Sequence, residues 1–588
     1  MGLFGKDLDD LRDAWHAQWQ GALAAWSRHT LLSEPLWCLT KEDEKEAGLN
    51  ESFAMIRLTG HRVVVSLRQV RKLGLEHLGR EILAHEVGHH TLAPADLTDH
   101  ARLLARTRIN LPTRESRAPY VANLYTDLII NDRLQRSAGL DMAQVYRLLR
   151  AEGGSPDLWT LYMRIYEVLW SLPSGTLADM DRVQPKAAAR IQGDAALGAR
   201  LARAYSRHWL DGAGRFAALL LPYLLELPDQ QPPAVAPWYD TLDAGAGDAL
   251  PDGLAGLDPD ELEQAPHPAL DPELSGLGDM EGEATGKPEP KGSGSGGRAY
   301  RPRGPRDFTG LMRSMGVTLP ESEMVARYYR ELARAHLIRY PVREIRQGGD
   351  PLPEGLEEWD AGSPLAEVDW MESLMRSPQP IPGVSLLRRT YGTTQGGEPD
   401  RQAPDLYLGI DCSGSMSNPA FSLAYPILAG AVVALSALRA KARVWACLSG
   451  EPGKYAQTQG FTRNEMEILT TLTSYLGTGY AFGILRLKEP FLDRKPEPSR
   501  KPAHILVLTD RDIFQMLAQA EDGWEVAGKA LKAAGAGGSM ILHVHPASCK
   551  PGIEQLEQQG WNVHCVTDQK SLLTFARDFS KALYEKTA

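Results

Sequence analysis

Apolar residues recur at helical spacing from the start of the chain. Leu8, Leu11, Trp15, Trp19, Leu23 and Trp26 lie three or four positions apart and predict an amphipathic helix over residues 7–29. Residues 53–58 and 62–67 are short β-rich runs separated by Thr59-Gly60-His61, the pattern of a hairpin. A helix is predicted from about 73 to 91, and from about 97 to 227 the spacing stays helical, broken at Pro112, Gly153-Gly154 and Pro173. Residues 1–228 therefore read as a mostly helical α+β domain. Residues 229–306 turn abruptly to Pro, Gly, Ala, Asp and Glu and close on Lys291-Gly292-Ser293-Gly294-Ser295-Gly296-Gly297. So little apolar surface cannot offset the entropy of ordering, and the segment is expected to be a disordered acidic linker. Residues 307–403 hold a helix-like stretch at 321–339 and then a loop-rich run with Trp359, Trp370 and Pro378, the expected collar of the last domain. From 404 to 588, strand-like runs at 406–410, 443–448, 504–508, 540–544 and 563–566 alternate with helix-like segments at 422–439, 463–472, 526–534 and 572–584. Such alternation predicts a doubly wound, mostly parallel α/β sheet, with ligands at the carboxyl ends of its strands.

Charge changes this picture in one place. The formal net charge of the 588 residues is −11, yet residues 229–290 alone carry 15 acidic side chains against Lys287, or −14, which leaves about +3 for the rest. The acidity belongs to one segment, either a solvated tether or a plug for a basic groove. No nucleic-acid-binding signature is present. The apolar run 216–227 is too short to span a bilayer and contains Pro222, so no membrane insertion is expected. Met1-Gly2-Leu3-Phe4-Gly5-Lys6-Asp7 runs straight into charged, helix-like sequence, so no signal peptide is read there. Lys6 also argues against lipidation at Gly2. Five scattered cysteines without a CxxC pair fit a reducing compartment, and a cytoplasmic location is expected.

Two clusters carry candidate chemistry. His85-Glu86-Val87-Gly88-His89 places two imidazoles four apart on one helix face, where both can reach one ion. Glu86 follows the first and is the candidate catalytic base for a water acidified by zinc. Position 92 is Leu and position 95 is Ala, so a third histidine in the extended eleven-residue form is missing. Asn123, Asp127 and Asn131 recur every four residues amid apolar neighbours, and a polar stripe on an apolar helix needs partners. Asp127 is the expected third zinc ligand, with Asn123 and Asn131 hydrogen-bonding behind the ligands. Asp132 is the alternative, followed by Asp96 or His100, while His90 and Tyr125 are candidate oxyanion donors. The second cluster begins where the apolar strand 406–410 ends, at Asp411-Cys412-Ser413-Gly414-Ser415. Its carboxylate and hydroxyls are hard oxygen donors suited to Mg²⁺ or Mn²⁺. Thr478, between Gly477 and Gly479, adds a hydroxyl, and the strand 504–508 leads to Asp510.

Over roughly residues 404–586 these elements resemble the von Willebrand factor A domain and its metal-ion-dependent adhesion site. The resemblance implies that Ser413, Ser415 and Thr478 contact the ion and that Asp411 and Asp510 act directly or through water. It also implies that a partner's carboxylate completes the shell; Asp512 lies close enough to contribute behind the ligands. Together with the His-Glu-x-x-His helix and the Asp127-to-Asn131 spacing, the chain resembles bacterial predicted zinc metallopeptidases of zincin-like fold fused to such a domain. Relatives of that kind work beside MoxR-type AAA+ ATPases. Gly286-Lys287-Pro288 lacks the spacing of a phosphate loop, so any ATPase would be a separate partner. The expected function is a zinc-dependent peptidase acting on a protein or peptide, with its A domain docking a partner or substrate carboxylate through Mg²⁺. A non-catalytic adaptor that recruits clients to an AAA+ motor is the alternative. An acidic, proline-rich segment before such a domain also resembles the D subunit of magnesium chelatase, which makes metal insertion a third expectation.

Overall fold

The computed structural model describes residues 3–49, 52–149, 157–227, 251–257, 261, 264–275, 301–345, 351–393, 400–413, 417–451, 453–479, 481–493, 501–519 and 522–566. They divide into two compact units, residues 1–332 with 420–422, and residues 333–419 with 423–588.

In the first unit, helix α1 (Leu3–Ala24) buries Trp15, Trp19 and Leu23, one face of the predicted stripe. The Trp15 indole N–H donates to the carbonyl of Glu76 at 2.9 Å, and that of Trp26 to the carbonyl of Ala84 at 2.7 Å. Both bonds tie the start of the chain to the segment that carries the histidine motif. Strands β1 (Leu36–Cys38), β2 (Ala54–Arg57) and β3 (Arg62–Ser66) form a sheet in the order β1-β3-β2, with β2 and β3 as the expected hairpin. The expected helix over 73–91 is shorter than predicted. Ser66 caps a separate turn, Leu67–Lys72, and α2 (Gly79–Thr91) starts only after Leu78. Helices α3 (Leu97–Ile109), α4 (Ala118–Ser137), α5 (Asp157–Leu169), α6 (Pro185–Ala204) and α7 (Trp209–Glu226) complete the helical part of the unit, with α4 packed against α2. Pro119 and Pro185 sit in first turns, where a missing N–H costs nothing.

The acidic segment departs from expectation where it is described. Leu254, Ala255 and Leu274 are buried, and Gly256–Leu257 pairs with Arg301–Pro302. Asp271 accepts from Tyr205 at 2.7 Å and pairs with Arg215, while Glu261 pairs with Arg303. Residues 251–257 and 264–275 are therefore folded parts of the first unit, not linker. Salt bridges and a few leucines anchor what composition alone reads as solvated. The collar also changes: residues 307–332 belong to the first unit and 333–403 to the second.

The second unit is built on strands β4 (Asp405–Asp411), β5 (Val444–Glu451), β6 (Lys454–Gln457), β7 (Ala503–Asp510), β8 (Gly535–His543) and β9 (Asn562–Val566). Their order is β6-β5-β4-β7-β8-β9, and all pairs are parallel except β5 with β6. Helices cover both faces. Gly430 of α8 (Tyr425–Arg439) lies against Leu408 and Ile410, whereas Phe482 fills the space over Gly409 on the opposite face. Helix α9 (Glu465–Thr473) packs beside α8, and α10 (Gly523–Ala534) joins Tyr407, Ile505 and Val507 in the other core layer. The mixed, mostly parallel sheet matches the expectation at that level. Chain order reverses between β4 and β7, so their carboxyl ends open a crevice of the kind that binds ligands in open α/β sheets. The expected helix over 572–584 lies outside the described residues. Among the described residues no helix is long and apolar enough to cross a membrane.

Candidate metal centre

Helix α2 presents its motif inward: His85, Glu86 and His89 have no solvent exposure. Its approach to α4 depends on Gly88. A Cβ there would fall 2.6 Å from Ile130 Cγ2 and 2.7 Å from Trp26 Cζ2, closer than packed carbons can sit. With that gap closed, Asp127 of α4 meets both imidazoles. Its Oδ1 lies 3.8 Å from His85 Nε2 and 3.5 Å from His89 Nε2. Among the described residues, this is the one group of three or more His, Cys, Asp or Glu side chains whose donor atoms can meet a common ion, all within 4.8 Å of one another.

The surrounding bonds aim these donors. Asn123 Nδ2 donates to Asp127 Oδ2 at 2.9 Å, which leaves Oδ1 toward the imidazoles. His85 Nδ1 lies 2.6 Å from Asn131 Oδ1, and His89 Nδ1 lies 3.0 Å from the Ala93 carbonyl. A ring that donates from Nδ1 presents a lone pair at Nε2, as a metal ligand must. Two imidazole nitrogens and one carboxylate oxygen, each held from behind, fit a divalent transition ion and leave coordination positions open. The buried His-His-Asp group can hold a metal ion.

The remaining candidates are placed elsewhere. Asp132 turns to Arg136 one helical turn on and does not join the histidines. Asp96 caps α3, accepting from the backbone N–H of Asp99. The Tyr125 hydroxyl donates to the carbonyl of Trp209 at 2.8 Å, so it is committed to α7 and is not an oxyanion donor here. His90 lies against His61, ring centroids 4.2 Å apart and planes tilted by 49°, and burial pulls its pKa down, with His61 adding to the effect. His100 is buried beside His89; burial first, and that neighbour second, push its imidazole down to about 4. Described parts of the acidic segment dock along α3: residues 252–257 share a hollow with Thr98, Ala101 and Arg102, and the stretch around Ala265 lies near the other end. Ala265 and Gln264 bond to Asn110 and Ile109, ten and nine residues along α3 from His100, or roughly 14–15 Å at helical rise.

At the switch point of the second unit, Asp411 Oδ1 accepts from the Ser413 backbone N–H at 2.8 Å and Oδ2 from the Thr509 hydroxyl at 2.9 Å. Ser413 and Thr478 form a parallel bridge, and the Thr478 N–H donates to the Cys412 carbonyl at 3.1 Å. Burial first, and the neighbouring Asp510 among the lesser causes, push the Asp411 carboxyl up to about 6. Asp510 Oδ1 accepts from the Asp512 N–H at 2.9 Å, so Asp512 serves through its backbone while its carboxylate is half-exposed near Arg511. Asp411, Ser413, Thr478 and Asp510 thus gather at adjacent strand ends; Ser415 lies outside the described residues.

Two features of the first centre have no signature in the sequence pattern. Gly88 reads as a spacer within the motif, although it sets the helix separation. The hydroxyls that meet Asn131 come from Tyr146 and Tyr166, on other helices. Compared with family models, with curated proteins and with solved structures, the chain matches none.

Gly88→Ala tests the close approach. Alanine gains about 1 kcal/mol in helix propensity, but forcing a methyl into this contact costs about 1–3 kcal/mol or more. The variant is expected to unfold at lower urea concentration than wild type and to hold metal more weakly. Unchanged stability and unchanged metal content would show that α2 and α4 can part without loss.

Proposed function

We propose that the chain is a zinc-dependent peptidase whose C-terminal unit, an A-like domain, docks a carboxylate of its partner or substrate through Mg²⁺. One observation carries the catalytic half. A buried group joins His85 and His89 of α2, the helix that also carries Glu86, to Asp127 of α4, and Glu86 follows the first ligand at the position from which a carboxylate can take a proton from an attacking water. His85, His89 and Asp127 would hold the ion. Zinc, when bound, acidifies water and polarises a peptide carbonyl. Glu86 would accept the water's proton and return it to the leaving amine, while Asn123, Asn131 and the Ala93 carbonyl keep the ligands in register. In the A-like domain, Asp411, Ser413, Ser415, Thr478 and Asp510 would hold Mg²⁺ or Mn²⁺. A MoxR-type AAA+ ATPase is the partner proposed to supply the carboxylate.

The same centre supports a second reading. His85, Glu86 and His89 are fully buried and Asp127 is 3% exposed, as in a structural site, which would make the chain an adaptor that recruits clients without cutting them.

Elemental analysis of protein purified without added metal is expected to find about one zinc per chain, lost in Asp127→Ala. Glu86→Gln should keep the zinc and lower peptide cleavage by about 10²-fold or more. If Glu86→Gln cleaves like wild type, Glu86 is not the base. If wild type holds zinc, melts when chelated and cuts nothing, the adaptor reading stands. Asp411→Ala or Ser413→Ala should weaken Mg²⁺-dependent capture of the ATPase at least tenfold and leave zinc content unchanged; undiminished capture would remove the docking role.

A further inference from the structure

Behind His85 lies a buried chain of linked hydroxyls. Asn131 Nδ2 meets Tyr146 Oη at 2.8 Å and Tyr166 Oη at 3.0 Å. Tyr146 and Tyr166 Oη lie 3.1 Å apart, and Tyr162 and Tyr166 Oη 2.8 Å apart. Tyr162 Oη reaches the carbonyl of Leu124 at 3.0 Å. Tyr162 and Tyr166 come from α5 and Tyr146 from the short helix Met142–Leu148; all three side chains are buried.

Proton counting gives this network one direction. A carbonyl only accepts, so Tyr162 spends its proton on Leu124. Tyr166 must then donate to Tyr162, and Tyr146 must donate to Tyr166. Both remaining hydroxyl protons are used, so neither tyrosine can donate to Asn131. The two contacts to Asn131 therefore need its NH₂ group, although the two ends of a carboxamide are alike in shape. The amide oxygen is left facing His85, which can only supply Nδ1–H. The lone pair of His85 is thereby fixed on Nε2, the atom 3.8 Å from Asp127 Oδ1.

We propose that Tyr146, Tyr162 and Tyr166 are positioning residues that act through Asn131 to lock His85 in its metal-binding tautomer. The order is set by the backbone carbonyl of Leu124, one turn before Asp127 on the same helix. One helix thus supplies a ligand directly and sets the protonation of another ligand through four side chains. Reversing the carboxamide would strand two N–H protons or two lone pairs in a dry interior, at the cost of unmade buried hydrogen bonds.

The inference rests on His85 being a metal ligand, and its test separates the two ideas. In the full chain, Tyr166→Phe frees the Tyr146 proton, which the carboxamide oxygen can then accept by turning over. Zinc affinity, measured by competition with a chelator, is expected to fall about 10- to 100-fold. Adding Asn131→Asp to Tyr166→Phe should recover most of the loss, because a carboxylate accepts from His85 Nδ1–H and from Tyr146 in either orientation. A packing defect would not recover. Equal affinity for wild type and Tyr166→Phe overturns the proposal, as does failure of Asn131→Asp to restore it. ¹⁵N imidazole shifts of His85 in metal-free protein give an independent reading. Wild type should be protonated at Nδ1, and Tyr166→Phe should show both tautomers. If wild type binds no zinc, the peptidase reading falls, but His85 protonated at Nε2 in wild type would still overturn the positioning role on its own.

Discussion

Everything at the metal centre depends on how closely α2 approaches α4. Helices packed through ordinary side chains sit about 8–10 Å apart, and the missing side chain at Gly88 lets Ile130 and Trp26 close on the α2 backbone. That contact brings His85 and His89 within 4 Å of Asp127. It also removes water from around them, which makes each polar atom there costly unless it is matched. A divalent cation among them would offset the desolvation of the carboxylate. Indole bonds from Trp15 and Trp26 hold α1 against the same region, which joins the first helix of the chain to the geometry of the centre.

Much of this centre was legible because a single helix repeat places it. His85 with His89, and Asn123 with Asp127 and Asn131, share faces through four-residue spacing alone. Choosing Asp127 over Asp132 needed the structure, which shows Asp127 against both imidazoles and Asp132, about 140° round the same helix, claimed by Arg136. The tyrosines were illegible for a different reason. They arrive from two further helices, and an isolated tyrosine on an apolar face reads as core. His100 and Tyr125 show the converse, residues with suitable chemistry whose burial or partner is decided only by packing.

The second unit was legible at the level of its strands, because central parallel strands are apolar throughout. Val444, Ile505, Val507 and Met540 announce themselves as such. The antiparallel pair Pro351–Glu358 with Leu387–Thr393 was not, because Pro351, Pro353 and Gly355 hide its alternation, and its register shifts between Pro353 and Gly355. Composition misled over residues 251–257 and 264–275. Its bias is real, yet Leu254 and Leu274 suffice to seat the segment once Arg215 and Arg303 pair with Asp271 and Glu261.

That seating makes a topological ring. Gly256–Leu257 and Arg301–Pro302 are hydrogen-bonded neighbours, and between them Ala265 and Asp271 bond to Asn110, Tyr205 and Arg215, so the stretch is fixed to the first unit at more than one point. Closure entropy grows slowly with length, about 0.6 kcal/mol per doubling, so the spacing between residues 275 and 301 can change at little cost. A break between residues 275 and 301 would leave both flanking stretches still bonded to the unit that holds His85, His89 and Asp127.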